Sequence, residues 1–349
     1  MKNNENEINL IKHKNNILDI TLLSDITKDS YNCFFNNTFI QFKTFDNLHY
    51  LIYNSKNNSI VCIDLYKKQK ITEIKNAKDE NNASFRHYPN KAKKQDLILT
   101  ISPKSCNLRI WDVKNWQCIL YINKVYNYCI LYSACMMNEN DNYYIVTSSC
   151  NYFGDSELIK IFDFKGNKIK EINNSNDATL LIDIYYDKKN NKKYIITTNK
   201  NYLKSFDYIN NNSYIKYYDN NNGAHSKYVI DDSKNIVKLF DPSEDGNLRI
   251  WNFHTGELLN KINISKQCLY DICFWDENFL LIGSQDKEIK IFDLNKNEVV
   301  KCLIGHNNHV ITIKKINHEK YGECLISHGF ENDQIKIWTF KNEKILYNK

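Results

Sequence analysis

A chain of 349 residues, 42% apolar and 13% aromatic, has ample material for a core, and its length fits one large repeat domain or two ordinary ones. Its formal charge is +6, but only three of the 47 basic residues are Arg (Arg86, Arg109, Arg249), and 53 Asn accompany the Lys, which reads as codon bias and gives little support to a guanine- or phosphate-reading surface. The eleven Cys contain no CxxC pair, "MKNNENEINL" offers no apolar leader, and the longest apolar run, "YCILYSACMM" (128 to 137), is well short of the ~20 residues of a membrane span, so reduced thiols in a soluble intracellular protein are expected, in the cytoplasm with the nucleus also open.

In chain order, residues 1–15 are polar and are expected to form a disordered arm, followed by an apolar strand "ILDITLL" at 17 to 23. A short motif then recurs: "SIVCIDL" (59 to 65), "NLRIWDV" (107 to 113), "LIKIFDF" (158 to 164), "YLKSFDY" (202 to 208), "NLRIWNF" (247 to 253), "EIKIFDL" (288 to 294) and "QIKIWTF" (334 to 340). Aligned after the aromatic position, the copies fall at Asp64, Asp112, Asp163, Asp207, Asn252, Asp293 and Thr339, separated by 48, 51, 44, 45, 41 and 46 residues. Each unit holds four short strands, as in 269–275, 279–285, 288–294 and 297–303. Two of only nine glycines punctuate the fifth unit, where Asp245-Gly246 and Thr255-Gly256 have the composition of tight turns.

The pattern of aliphatic, Lys or Arg, aliphatic, Trp or Phe, then Asp resembles the WD40 repeat, over nearly the whole chain from about residue 35. The resemblance implies an all-β fold, a seven-bladed β-propeller of four-stranded antiparallel blades spanning 16–349. Elementary physics agrees, because a lone sheet this apolar on both faces is stable only when each face packs on a neighbour. The resemblance also implies a structural tetrad, which the last unit approaches with His306, Ser327, Asp333 (or Asn332) and Trp338. The fifth unit offers His225, Asp245 and Trp251 with no evident hydroxyl, and elsewhere Ile63, Phe162, Phe206 and Phe292 replace the Trp. Two segments compete for the outer edge of the last blade, 17–23 and "EKILYNK" (343 to 349).

Catalytic motifs are scarce. GxGxxG, GxxxxGK[ST] and HExxH are absent, and nine glycines make a backbone phosphate cradle a poor prospect. His306 and His309 are three apart, with His318 and His328 beyond, but His306 has the tetrad role and His309 lies in a loop, so no metal and no other cofactor is expected. Asp231-Asp232, Asp241 and Asp245 read as turn and surface residues in preference to a hydrolase pair.

A surface remains. In the family resembled, partners dock where loops lead into the first strands and turns precede the third; by position these are Ser84, Tyr128, Tyr228, Cys268 and His309, with Lys104, Glu244, Gln285 and Glu331. The expected function is a non-enzymatic scaffold for protein partners in a larger complex, without a small-molecule substrate or a membrane. The alternative is an RNA- or ribosome-associated propeller that binds phosphates through Lys-rich loops such as "KAKK" (91 to 94) and "KNNKK" (189 to 193), although the sequence reads as having no basic stripe interleaved with aromatics. A phosphopeptide reader would want clustered Arg, and only Arg86 is placed to approach the axis.

Overall fold

In six of the seven units the Asp or Asn that follows the aromatic position of the motif folds the chain back on itself. Asp64 Oδ1 accepts from the amides of Tyr66 and Lys67, and Asp112, Asp163, Asp207, Asn252 and Asp293 cap the following turn in the same way. A short side-chain acceptor thus fixes the turn between third and fourth strand six times over. A second local device precedes it. In five blades the ladder between these strands slips by one residue next to the motif's aromatic position, at Cys62/Ile63, Ile110/Trp111, Ile161/Phe162, Ile250/Trp251 and Ile291/Phe292. Such a bulge increases the local twist that a propeller blade requires.

The computed structural model describes residues 20–25, 39–55, 59–75, 84–127, 129–139, 142–150, 158–173, 179–199, 201–209, 213–219, 227–319, 321–330 and 333–340. Among them, 28 strands form seven antiparallel four-stranded sheets, the blades of a β-propeller. Blades 1 to 6 span 39–74, 84–122, 130–173, 179–217, 229–263 and 269–304, each with its strands in sequence order. Blade 7 takes its first three strands from 310–340 and its fourth from the other end of the chain. First strands of neighbouring blades contact one another, so they surround the axis and the fourth strands form the rim.

The core lies between the blades. Seven apolar clusters each join two adjacent sheets: Trp111 packs on blade 1, Phe162 on blade 2, Phe206 on blade 3, Trp251 on blade 4, Phe292 on blade 5 and Trp338 on blade 6. The last cluster closes the toroid, with Phe39, Leu51 and Ile63 of blade 1 against Ile316, Ile326 and Ile337 of blade 7. Both faces of every sheet are therefore covered, as the doubly apolar strands demand. The closing strand is Ile20–Asp25, which pairs antiparallel with Ile335–Phe340. The amino-terminal segment thus holds the contested edge, two residues further along than 17–23 at its far end, and 343–349 lies outside the described residues. The expected arm at 1–15 also lies outside them.

Gly246 answers why glycine is spent in the fifth unit. Its φ is +77°, and a Cβ there would stand 2.0 Å from the carbonyl oxygen of Ser265. That close approach is used: Ile264 N and Ser265 N both donate to Gly246 O, which pins the loop leading to blade 6 onto the turn of blade 5.

Candidate docking face

Turns between second and third strands and loops leading into first strands meet on one end of the toroid, called the upper face below. Their backbones are joined directly. Gln285 N donates to Cys268 O at 2.8 Å, Phe330 N to His309 O at 2.7 Å, Leu131 N to Pro103 O at 3.0 Å and Leu269 N to Ser243 O at 3.2 Å. Residues placed there sit on a hydrogen-bonded frame.

Below the surface of blade 7 runs a closed chain of side chains. Trp338 Nε1 donates to Ser327 Oγ at 2.7 Å, Ser327 Oγ lies 2.7 Å from His306 Nε2, and His306 Nδ1 lies 2.8 Å from Asp333 Oδ2. The donors fix the tautomer: Nδ1 carries the proton toward Asp333, and Nε2 accepts from the serine. Burial alone would raise the Asp333 carboxyl, but His306 and backbone amides outweigh it and hold it below its usual range. Gly329 makes room, since a Cβ there would lie 2.1 Å from Asp333 Oδ2. Of the two acids considered from sequence, Asp333 is the one engaged; Asn332 lies outside the described residues.

The other blades substitute within the same frame. Thr100 accepts from Trp111 Nε1 at 3.0 Å in blade 2. In blade 3 the phenol of Tyr126, from the preceding loop, reaches Thr147 Oγ1 at 3.0 Å and does the work of the missing His. Blade 5, which lacks a hydroxyl, places Asp241 there, and Trp251 Nε1 donates to it at 3.3 Å. Its Arg249 is 1% exposed and binds Asp245 with two nitrogens at 3.1 and 2.6 Å and Asp219 at 3.0 Å, with Ser243 Oγ also on the guanidinium. Burial would raise the Asp245 carboxyl, but Arg249, Ser243 and Asn247 hold it well below its usual range. His225 lies outside the described residues.

On the upper face proper, the rings of Tyr270, His309 and Phe330 lie nearly parallel, with centroids 6.0 and 6.1 Å apart and planes 15° and 16° from parallel. A bulge between Leu269 and Asp271 turns Tyr270 out of its strand. Burial pushes the Tyr270 phenol up to about 12, with Cys268 and Glu244 adding to it, and lowers the His309 imidazole, with Lys287 adding to it, so the row is uncharged at neutral pH. His309 Nδ1 is buried without a hydrogen-bond partner among the described residues. Sequence reasoning picked out His309 but missed Tyr270 and Phe330, because one sits inside a strand pattern and the other at the end of one.

The remaining positions chosen from sequence divide. Lys104 and Glu244 are exposed, and Ser84, Cys268 and Gln285 are half-buried on the same frame. Tyr128 and Glu331 lie outside the described residues. Tyr228, half-buried just before the first strand of blade 5, lines a cavity of about 330 Å³ on the axis, together with Arg86, Tyr88, Asp183, Lys227 and Lys314. Two of these cations are matched. Arg86 Nη1 meets Asp183 Oδ1 at 3.0 Å, and Lys227 Nζ meets Asp271 Oδ1 at 3.0 Å, where the amide of Ile313 also binds the carboxylate at 2.8 Å.

One expectation is corrected in part. Lys and Tyr do interleave on blade 4, where Lys204 Nζ lies 5.1 Å from the ring of Tyr202 and 4.9 Å from that of Tyr214, and Lys216 Nζ lies 3.9 Å from Tyr202 and 4.9 Å from Tyr218, but Lys204 and Tyr202 are buried and only Lys216, Tyr214 and Tyr218 are exposed. The stripe was hidden because its members come from two paired strands, Leu203–Asp207 and Tyr214–Tyr217, and the residues beside them. Among the described residues, no group of three His, Cys, Asp or Glu has the arrangement of a metal site. No family model matches the chain, and the search of curated proteins found no match.

Proposed function

We propose that this chain is a WD40-type propeller that acts as a non-enzymatic, intracellular scaffold, presenting its upper face to protein partners in a larger assembly. The observation that carries the reading is the row of Tyr270, His309 and Phe330: three parallel, half-buried rings on a hydrogen-bonded frame, uncharged at neutral pH, with a buried unpaired nitrogen on the central one. Rigid aromatic groups of this kind lose little entropy on docking and concentrate binding energy. The Ser327–His306–Asp333 chain has the connectivity of a hydrolytic relay, yet Ser327 is 0% exposed and its oxygen already receives the indole of Trp338, so the chain serves folding.

The test is affinity purification from the native cell with wild type and a His309→Ala, Phe330→Ala, Gln285→Lys variant whose near-ultraviolet dichroism matches wild type. Loss of one defined set of proteins with the variant supports the reading; an unchanged set removes it. The RNA alternative draws on the Lys and Tyr stripe of blade 4, where Tyr214 and Tyr218 are 50% and 47% exposed. It requires RNA binding that weakens steeply with salt and falls in a Lys216→Glu, Tyr218→Ala variant.

A further inference from the structure

The axial cavity contains one more cation than its geometry neutralises. Arg86 is matched by Asp183, the carboxylate that lines the cavity, and spends its other terminal nitrogen on Ile182 O at 2.6 Å. Lys227 is matched by Asp271. Lys314 donates to the carbonyl of Gln41 at 2.6 Å and, among the described residues, meets no carboxylate. Among the described residues its other two ammonium hydrogens meet no acceptor, and they face the water of the cavity. His87 adds no charge to balance: burial lowers its imidazole despite the hydrogen bond to Asp96 at 2.8 Å.

Lys314 lines the cavity with its side chain exposed to the water there. Partial loss of hydration, with Lys227 nearby, pushes its ammonium down to about 8, so at neutral pH it still carries its charge. Hydroxyl donors surround the same space. Tyr88 Oη accepts from the amide of Met136 at 2.8 Å, which leaves its own hydrogen to give, and the phenol of Tyr228 has no hydrogen-bond partner on the protein among the described residues. The wall thus offers ammonium and phenol groups, and its lining carboxylate, Asp183, is held through Oδ1 by Arg86 and the amide of Ile184 while its side chain stays half-exposed. A planar carboxylate would use two of these directions; a tetrahedral phosphate has an oxygen for each, and Lys serves phosphate well as a point charge.

We infer that the axial cavity is a phosphate site, in which Lys314 supplies the unmatched charge, with the Asp271-paired Lys227 beside it, and the phenols of Tyr88 and Tyr228 supply donors to one phosphate group. The site is separate from the aromatic row on the upper face and does not depend on the scaffold reading. Its ligand is inorganic phosphate or a phosphate group borne on a peptide.

The experiment titrates the full chain at constant ionic strength with inorganic phosphate, and in a second arm with a phosphoserine pentapeptide and its unphosphorylated counterpart, reading heat of binding and melting temperature. Wild type and the control Lys114→Met, an exposed turn lysine, are expected to show saturable binding. Lys314→Met is expected to bind at least tenfold more weakly, and Tyr228→Phe, which keeps every charge, several-fold more weakly. Tighter binding of the phosphopeptide than of the free ion assigns the group to a chain, and equal binding assigns it to the free ion. The inference falls if wild type shows no saturable response in either arm, or if folded Lys314→Met responds as wild type does.

Discussion

Trp111 Nε1 donates to Thr100 Oγ1 at 3.0 Å, whereas Thr197, which occupies the same station of blade 4, holds a buried hydroxyl that has no hydrogen-bond partner among the described residues. The register explains the difference. Thr100 is paired with Arg109 and Thr197 with Lys204, and the residue two places on is Trp111 in one blade and Phe206 in the other, which has no N–H to give. The two threonines therefore answer oppositely to the same isosteric change. Thr100→Val leaves a buried indole N–H unsatisfied and should cost about 1–3 kcal/mol, while Thr197→Val removes an unpaired hydroxyl and should be neutral or stabilising by up to about 1 kcal/mol. Urea unfolding of the two variants checks this, and equal losses would show that both hydroxyls are engaged.

Gly246 and Gly322 both have positive φ, at +77° and +68°, but only the first is crowded. A Cβ on Gly246 meets the Ser265 carbonyl at 2.0 Å, and one on Gly322 meets nothing within 4 Å. Gly322→Ala should lose about 1 kcal/mol from backbone strain alone, and Gly246→Ala clearly more, because the loop joining blades 5 and 6 must also move. Thermal melts of the pair separate strain from collision; similar melting temperatures would mean that the loop yields freely.

His328 gives the fold an acid-sensitive point. Burial pushes its imidazole down to about 4, although Nε2 donates to Asp333 O at 3.2 Å. As pH falls below the ordinary value of 6.5, the unfolded chain takes up a proton that the folded chain refuses until about 4, so stability declines across that window. The full loss is about 3 kcal/mol, with none of it present above pH 7. His328→Gln, which keeps a donor for the carbonyl, should flatten that part of the stability curve. The check is urea unfolding of both proteins at several pH values between 7 and 4; parallel curves would remove His328 from the account.

Much of the fold was legible because it is written locally. Asp163 caps its turn through amides two and four residues on, and Gly246 allows a turn that closes within four residues, so each blade carries its own punctuation. Repetition at 41 to 51 residues then multiplied a weak motif into a recognisable architecture. The site was less legible. His309 was found because loop position alone marks it, whereas Tyr270 owes its exposure to a bulge, and Tyr126 replaces a histidine through a contact 21 residues away. Asp241 was read as a surface acid but accepts from Trp251 at 0% exposure, since only the paired register shows which residue of one strand faces the indole of the next.

The sequence by itself determined the blade, its turns and the number of repeats, because turn acceptors, glycines and alternating apolar residues act over a few positions. Only the tertiary structure decided what lines the axis. Arg86, Asp183 and Lys314 come from three different blades and Lys227 from the loop entering a fourth, and closure of the toroid by Ile20–Asp25 against Ile335–Phe340 sets the inner strands that bring them around one cavity. Charges in separate blades carry no periodic trace of one another, so their balance, and the unmatched ammonium of Lys314, exists only once the inner strands face each other across the axis.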